Sequence, residues 1–210
     1  GLLQLVDVPP AIESYHIVVT KNGYSTDRTY SPSDSVVVNP IKLDATVITQ
    51  QVTQISFAID RVSTLKVSSL STTCSAVPNV DFSLTGSKLI GTNPDVLKYS
   101  QNLSTDGAGI KLVNNLEWDT YNSLLTDSTY ELRGTIPLKP INLAPNSSQE
   151  LKFIVQPKTP HSLLVSVRND STGLPLSGAA VRLTKPGFDQ TILTSRGYIQ
   201  QTNWQGGPGQ

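Results

Sequence analysis

The sequence predicts an all-β protein in which β-sandwiches follow one another along the chain. Short runs with apolar and polar residues alternating at a period of two recur throughout, for example at residues 54–59 and 151–155. Fourteen glycines and fourteen prolines separate these runs, at the spacing typical of strands and turns in a sandwich. The sequence also repeats itself at a distance of about one small domain, which indicates several similar modules.

The repeat sets the predicted domain boundaries. Residues 64–68 recur as residues 162–166 at an offset of 98 (162 − 64), and residues 78–85 recur as residues 177–184 at an offset of 99 (177 − 78). Phe57 matches Phe153 at an offset of 96 (153 − 57), and residues 1–8 followed by Tyr15 resemble residues 109–116 followed by Tyr121. We therefore predict the last part of one sandwich in residues 1–60, a complete sandwich in residues 61–157 and the first part of a third in residues 158–210. The connectors are too short to act as flexible tethers.

The alternation places the individual elements along the chain. The predicted strands cover residues 15–20, 35–38, 45–49, 54–59, 65–68, 80–84, 110–113, 151–155, 163–167 and 179–183. Turn residues separate them at 21–23, 31–34, 105–107 and 169–173, and we expect a helical turn after Pro94 within residues 93–99. In the reversal before the strand at 179–183, Gly173 supplies a positive φ and Pro175 a fixed one.

Charge and composition exclude several classes of function. Lys plus Arg and Asp plus Glu both number 16, so the chain has no net charge with which to attract nucleic acid or an anionic membrane surface. No apolar run reaches the length of a membrane span, and the first residues lack the basic region and cleavage site of a signal peptide. Cys74 is the single cysteine, so no disulfide forms within the chain, and we expect an ordinary unreactive thiol.

The residues that carry enzyme chemistry are scarce. His16 and His161 fall in different modules, and no nucleophile, metalloprotease or phosphate-binding motif is present, so we expect neither an enzyme nor a bound cofactor. Acidic residues cluster at Glu117, Asp119 and Asp127 without the spacing of a calcium loop, so we expect no metal site. The candidate ligand-contact residues are Trp118 and Trp204, whose rings can stack on sugars or pack within the protein.

Three segments resemble a known family of repeats. Residues 170–183 are similar to its second-strand signature, residues 105–109 to a turn between strands, and residues 8–15 with 20–25 to its tyrosine-containing pattern. The module thereby resembles the carboxypeptidase regulatory-like repeat, also called prealbumin-like or Cna-B-like, of bacterial surface proteins. The resemblance implies seven-stranded, Ig-like sandwiches. It is nearest to surface proteins in which such repeats follow a prepilin-type segment, so we expect an anchoring segment upstream.

The family also implies roles for particular residues. We expect Tyr15 and Tyr121 to be corner residues, with the ring packed inward and the hydroxyl bonded to the backbone. Some relatives cross-link a lysine to an asparagine with the help of a buried acid that lies shortly after the tyrosine. Val19 and Leu125 stand at the matching places and cannot shuttle a proton, so we expect no intramolecular isopeptide bond.

The sequence thus predicts a non-enzymatic, extracellular module of a bacterial surface or pilus-like protein. It would act as a semi-rigid spacer and interaction scaffold whose partners are proteins, including further copies of itself. The partial modules at the two ends are complementary in type, which predicts head-to-tail assembly. The alternative is a carbohydrate-binding accessory module of a secreted hydrolase, with glycans as partners.

Overall fold

The computed structural model of the chain describes residues 1–161 and 163–194. Every regular element in this part of the chain is a β-strand, which confirms the predicted all-β class. The strands are β1 (Ala11–Tyr15), β2 (Val18–Val19), β3 (Asp27–Arg28), β4 (Ala45–Val47), β5 (Ser63–Ser71), β6 (Asp81–Gly86), β7 (Leu89–Gly91), β8 (Val96–Leu97), β9 (Ser100–Ser104), β10 (Ile110–Leu116), β11 (Asp119–Leu125), β12 (Tyr130–Ile136), β13 (Ile141–Leu143), β14 (Ser148–Pro157), β15 (Ala180–Lys185) and β16 (Phe188–Leu193).

Residues 63–157 contain two four-stranded sheets. One has the order β10-β5-β14-β12 and the other the order β13-β11-β6-β9. Strand β5 pairs in parallel with β14, whereas the other ladders of both sheets are antiparallel. The two sheets hold eight strands where the family resemblance implied seven, because the three-residue β13 pairs with β11 as a separate edge strand.

The sheets enclose one apolar core. Leu65 on β5, Phe82 on β6 and Phe153 on β14 are fully buried in this core. This is expected because every second residue of a strand points to the face that packs inward. Phe82 and Phe153 meet edge to face with their ring centroids 5.2 Å apart. The core therefore joins the first, second and last long strands of the sandwich directly.

Residues before β5 form smaller pairings. Strand β1 pairs with β4, and β2 pairs with β3. The strand predicted at 15–20 is divided, because Tyr15 ends β1 and residues 16–17 separate it from β2. The strand predicted at 35–38 is absent, since the Asp34 carboxylate accepts hydrogen bonds from the backbone N–H groups of Val36 and Val37 and folds the chain locally.

Among the described residues after β14, strands β15 and β16 form a hairpin. Val181 and Leu183 are half-buried and Arg182 is exposed, in the alternation that the sequence predicted. The turn at 169–173 is also as predicted, with Gly173 at a φ of 67°. The strand predicted at 54–59 did not form, and the strand predicted at 163–167 is reduced to an isolated β-bridge at Ser166.

The helical turn expected after Pro94 is wrong. Residues 96–97 form β8, which pairs with β7 in a hairpin. The N–H of Lys98 donates to the carbonyl of Lys88 at 2.8 Å, so the backbone bonds across the hairpin rather than along a helix.

Replacing Phe153 by alanine tests the core. We expect the free energy of unfolding to fall by about 3–5 kcal/mol, because the change opens a cavity beside Phe82. Urea denaturation followed by tryptophan fluorescence measures it. The control is Leu124→Ala at an exposed position, expected to stay within about 0.5 kcal/mol of the parent. A loss at Phe153 no larger than at Leu124 would contradict this core.

Candidate functional site

The corner between β10 and β11 carries the sequence-predicted ligand residue Trp118. The Lys88 ammonium lies 3.1 Å from the centroid of the Trp118 ring and 2.8 Å from Glu117 Oε1. Lys98 Nζ lies 2.5 Å from Glu117 Oε2. A cation therefore covers one face of the indole, and the Glu117 carboxylate fixes that cation in place. The second predicted ligand residue, Trp204, lies outside the described residues.

Asp119 fastens the same corner to the end of β6. Its buried carboxylate accepts hydrogen bonds from the Ser87 N–H at 3.0 Å, the Ser87 hydroxyl at 2.6 Å and the Lys88 N–H at 3.2 Å. The backbone of Gly86 comes so close that a Cβ there would lie 2.3 Å from Asp119 Oδ2. The carboxylate is thus committed to the backbone of the β6–β7 turn.

Tyr121 closes the corner from inside the sandwich. Its hydroxyl donates to the Glu117 carbonyl at 2.8 Å, and its ring meets Tyr99 edge to face. Burial, followed by the charges of Asp119 and Glu117, raises the pKa of the Tyr121 hydroxyl far above its usual range. In β1, the Tyr15 hydroxyl donates to the Pro9 carbonyl at 2.7 Å. Tyr121 therefore has both features of the predicted corner residue, the buried ring and the hydroxyl bonded to the backbone, whereas half-buried Tyr15 shows the hydroxyl bond.

Asp127 holds the turn between β11 and β12. Its carboxylate accepts hydrogen bonds from the backbone N–H groups of Thr129 at 2.7 Å, Tyr130 at 2.8 Å and Asp81 at 3.1 Å. Burial alone would raise the pKa of Asp127, but these three donors outweigh it and the net pKa is lowered.

The acidic residues of this region therefore have structural partners. Glu117 binds two lysines, while Asp119 and Asp127 bind backbone N–H groups. Within residues 1–161 and 163–194, no group of three or more His, Cys, Asp or Glu side chains is placed to hold a metal ion.

One polar cluster was not predicted. His16 Nδ1 lies 3.0 Å from Asp44 Oδ1, and the Thr29 hydroxyl donates to the same oxygen at 2.7 Å. Because the threonine proton is directed to the carboxylate and not to the imidazole, the three groups lack a nucleophile–base pair. His16 directly follows β1, Thr29 directly follows β3 and Asp44 directly precedes β4, so the cluster joins segments that no local sequence pattern brings together. His161 follows β14 and is exposed, and Cys74 is an exposed thiol in a turn.

A strip of backbone hydrogen bonds joins the first segment to the central sandwich. The N–H of Ile41 donates to the Ile90 carbonyl at 3.0 Å, and the N–H of Thr92 donates to the Val38 carbonyl at 3.1 Å. Between these two bonds, Pro40 and Gly91 form a β-bridge. Position 91 requires glycine, because a Cβ there would lie 2.3 Å from the Val38 carbonyl oxygen. This contact was not predicted from the sequence. A lone glycine in a strand can mark the close approach of another backbone segment, and Gly91 was the one residue that indicated it.

Exposed apolar residues are concentrated outside the central sandwich. Residues 1–60 contain twelve exposed large hydrophobic side chains, and residues 163–194 contain five, whereas residues 61–161 contain four. The longest exposed group is Leu2, Leu3, Leu5 and Val6. Such surfaces are typical of interaction sites.

Comparisons with known proteins provide no family assignment. No protein-family model matches the sequence, and no curated protein matches it. Among solved structures, a streptococcal ancillary pilin is similar, with a TM-score of 0.35 and 15% identity over 80% of this chain. The chain spans 59% of the length of that neighbour, and a TM-score this low does not establish a shared fold. Membership of the carboxypeptidase regulatory-like family stays a prediction.

The described residues contain no helix that is both long and apolar enough to cross a membrane.

Replacing Asp127 by asparagine tests the structural role of the carboxylate. At neutral pH we expect the free energy of unfolding to fall by about 1–3 kcal/mol, because hydrogen bonds to a charged acceptor become bonds to a neutral one. The pKa of Asp127 is lowered in the folded state, so its contribution is present above the ordinary carboxyl pKa and is lost as the pH falls through the folded value. Urea denaturation at a series of pH values should show the unfolding free energies of the parent and the Asp127→Asn variant becoming equal in acid.

Asp95→Asn, at an exposed position, is the control and should match the parent at every pH. A deficit at Asp127 that does not vary with pH would contradict this account.

Proposed function

We propose that the chain is a structural segment of a bacterial surface protein, in which β-sandwich modules follow one another and hold a fixed spacing. The backbone strip between residues 38–41 and 90–92 carries this proposal. It joins neighbouring modules through main-chain hydrogen bonds, which restrict their relative motion far more than a connector alone would.

Recurring hydrogen bonds after β14 support the modular organisation. Contacts of the central sandwich reappear there at the sequence offsets of 98 and 99. The matched pairs are the bridges Leu70–Ala76 and Arg168–Pro175, and the bonds from Val77 N to Ser69 O and from Leu176 N to Val167 O.

The first segment shows the same kind of recurrence. The bridge between Tyr24 and Arg61 matches the pairing of Tyr130 with Pro157. The hydrogen bond from Val62 N to Gly23 O matches that from Lys158 N to Thr129 O. These contacts support three tandem modules, with the boundaries near residues 60 and 157 that the sequence predicts.

The proposed role is mechanical and adhesive, outside the cell and without enzymatic activity. The acidic residues and tyrosines of the central corner are occupied by structural hydrogen bonds. The exposed apolar residues in 1–60 and 163–194 are an argument for protein partners, because exposed apolar patches are typical of protein–protein contacts.

Replacing Gly91 by alanine tests the spacer role. We expect the contact between the modules to open, because the added methyl group collides with the Val38 carbonyl. Small-angle scattering should then show a broader distribution of interatomic distances, while the urea midpoint of the central sandwich is retained. Gly107→Ala is the matched control, since a Cβ there meets nothing within 4 Å. Unchanged scattering in the Gly91 variant would remove the support for a fixed spacing.

A glycan array distinguishes the proposed structural role from the carbohydrate-binding alternative. Because Lys88 already covers one face of Trp118, we expect no glycan on an array to bind in a manner that depends on this ring. Trp118→Ala should therefore match the parent protein across the array, with Leu112→Ala, another exposed apolar residue, as the matched control. Glycan binding by the parent that is lost with Trp118 and kept in the control would favour the alternative.

A further inference from the structure

The central sandwich has four edge strands. They are β10 and β12 in one sheet and β13 and β9 in the other, and the outer side of each has no ladder partner among the described residues. An exposed edge can pair with a strand of another chain, and proteins block such edges with bulges, charged side chains, prolines or very short strands. All four strands lie within residues 63–157, so the order of the sheets determines which strands are edges.

Three of the four edges carry such devices. Strand β10 has a register shift and places Lys111 on the core-facing side, opposite Val67. Strand β12 has a register shift and contains the charged residues Glu131 and Arg133. Strand β13 is three residues long and directly follows Pro140. Each of these features discourages pairing with a further strand.

Strand β9 lacks all of these devices. Its sequence, Ser-Gln-Asn-Leu-Ser at residues 100–104, contains no charged residue and no proline. All five residues pair with β6 without a register shift, and four of the five side chains are exposed. The outer side of β9 is therefore a regular strand edge that remains suitable for pairing.

Hydrogen bonds at the two ends of β9 determine which of its backbone groups face outward. The Gly86 N–H donates to the Tyr99 carbonyl at 2.9 Å, and the Thr105 N–H donates to the Val80 carbonyl at 3.0 Å. Because the bonded residues alternate along an antiparallel strand, every second residue of β9 directs its N–H and C=O groups away from β6. These outward-facing residues are Ser100, Asn102 and Ser104. None of their outward backbone groups has a hydrogen-bond partner among the described residues.

This row of outward groups is symmetric about Asn102. When two copies of β9 lie antiparallel about a two-fold axis at Asn102, each Asn102 exchanges both backbone hydrogen bonds with its counterpart. Ser100 of each chain exchanges both bonds with Ser104 of the other in the same way. A shift of the register by one residue would instead set outward groups against groups already bonded to β6.

Charged residues of opposite sign flank β9. Lys98 precedes the strand and Asp106 follows it, each four residues from Asn102. Lys98 Nζ lies 2.5 Å from Glu117 Oε2, and Asp106 Oδ1 accepts a hydrogen bond from the Ala108 N–H at 2.9 Å, so both side chains have fixed places. The two-fold pairing sets Lys98 of each chain towards Asp106 of the other, whereas a parallel pairing would set like charges together.

The segments on either side of the sandwich are complementary in the same direction. Because β5 and β14 run in parallel, the chain enters the sandwich at one end and leaves it at the other. Residues 1–60 contain six acidic and three basic side chains, a net charge of −3, and residues 158–210 contain two acidic and five basic ones, a net charge of +3. The central residues 61–157 contain eight of each. Antiparallel chains therefore bring unlike segments to the same end.

We propose that β9 is a self-association surface, through which two copies of the chain pair antiparallel over residues 100–104 with the two-fold axis at Asn102. The pairing joins the β13-β11-β6-β9 sheets of the two molecules into one continuous sheet. The contact is small, so it acts best where copies are held side by side at high local concentration. That last step rests on the proposed place of the chain in a surface protein, whereas the pairing itself does not.

A charge exchange at the two-fold axis tests the pairing. Asn102→Lys sets two ammonium groups opposite each other and Asn102→Asp sets two carboxylates, so each variant alone should raise the dissociation constant of the dimer by about tenfold or more. An equimolar mixture of the two variants should restore the dimer, because opposite charges then meet. Sedimentation velocity at neutral pH, over a series from about 10 µM to about 1 mM in which the parent dimerises, measures the association.

Two further variants separate pairing from other effects. Asn114→Lys is the matched control, since Asn114 is an exposed asparagine on the protected strand β10, and it should dimerise as the parent does. Asn102→Pro removes an outward N–H that has no partner in the single chain, and it should raise the dissociation constant by about tenfold. Recovery on mixing distinguishes lost pairing from lost folding, because misfolded chains would not regain a dimer.

Three outcomes would overturn the proposal. The parent staying monomeric throughout the series is the first, since β9 would then lack a partner in its own kind. Equal dissociation constants for Asn102→Lys and Asn114→Lys are the second, and a mixture that associates no better than its two components is the third. The scattering test on Gly91 concerns contact within one chain. Loss of the fixed spacing would therefore leave the β9 pairing in place, and a monomeric parent would leave the fixed spacing in place.

Discussion

The parallel pairing of β5 with β14 is the constraint on which the rest of the structure depends. It joins the first and last long strands of the sandwich, so the module closes only when both are present. With the pair in place, Leu65, Phe82 and Phe153 are removed from solvent altogether. The segments at 52–59 and 163–167, which resemble β14 and β5 in sequence, lie outside the strands of the described chain.

Hydrogen bonds to carboxylates at the strand corners give the sandwich its polar framework. Asp119 holds the turn after β6, and Asp127 holds the turn after β11. Each of these carboxylates accepts hydrogen bonds from main-chain N–H groups, so the carboxylates fix the chain path at the two corners. The Tyr121 hydroxyl supplements them by donating to the carbonyl of Glu117. Side chains that would suggest chemistry in a sequence therefore serve to hold turns in place.

Much of the fold was predictable because alternation is a local signal. Strands β5, β6, β10 and β14 were expected where residues alternate, and the turn at Gly173 where a positive φ is required. The strand expected at 54–59 did not form for a non-local reason, since a strand also needs a partner strand and alternation does not supply one. The Lys88–Trp118 contact and the cluster of His16, Thr29 and Asp44 were likewise out of reach. They join residues brought together by the sheet order rather than by sequence spacing.

The chain has no net charge, but its acidic and basic side chains are unevenly distributed along the sequence. An acidic first segment, a balanced centre and a basic last segment sum to zero, yet two chains meeting first segment to last segment attract each other, whereas like segments repel. A two-fold axis between antiparallel chains brings first and last segments together twice, so such a pairing closes as a dimer. The same asymmetry disfavours a dimer of parallel chains, in which like-charged segments would meet. Charge thus favours contacts between unlike segments of two chains over contacts between like segments.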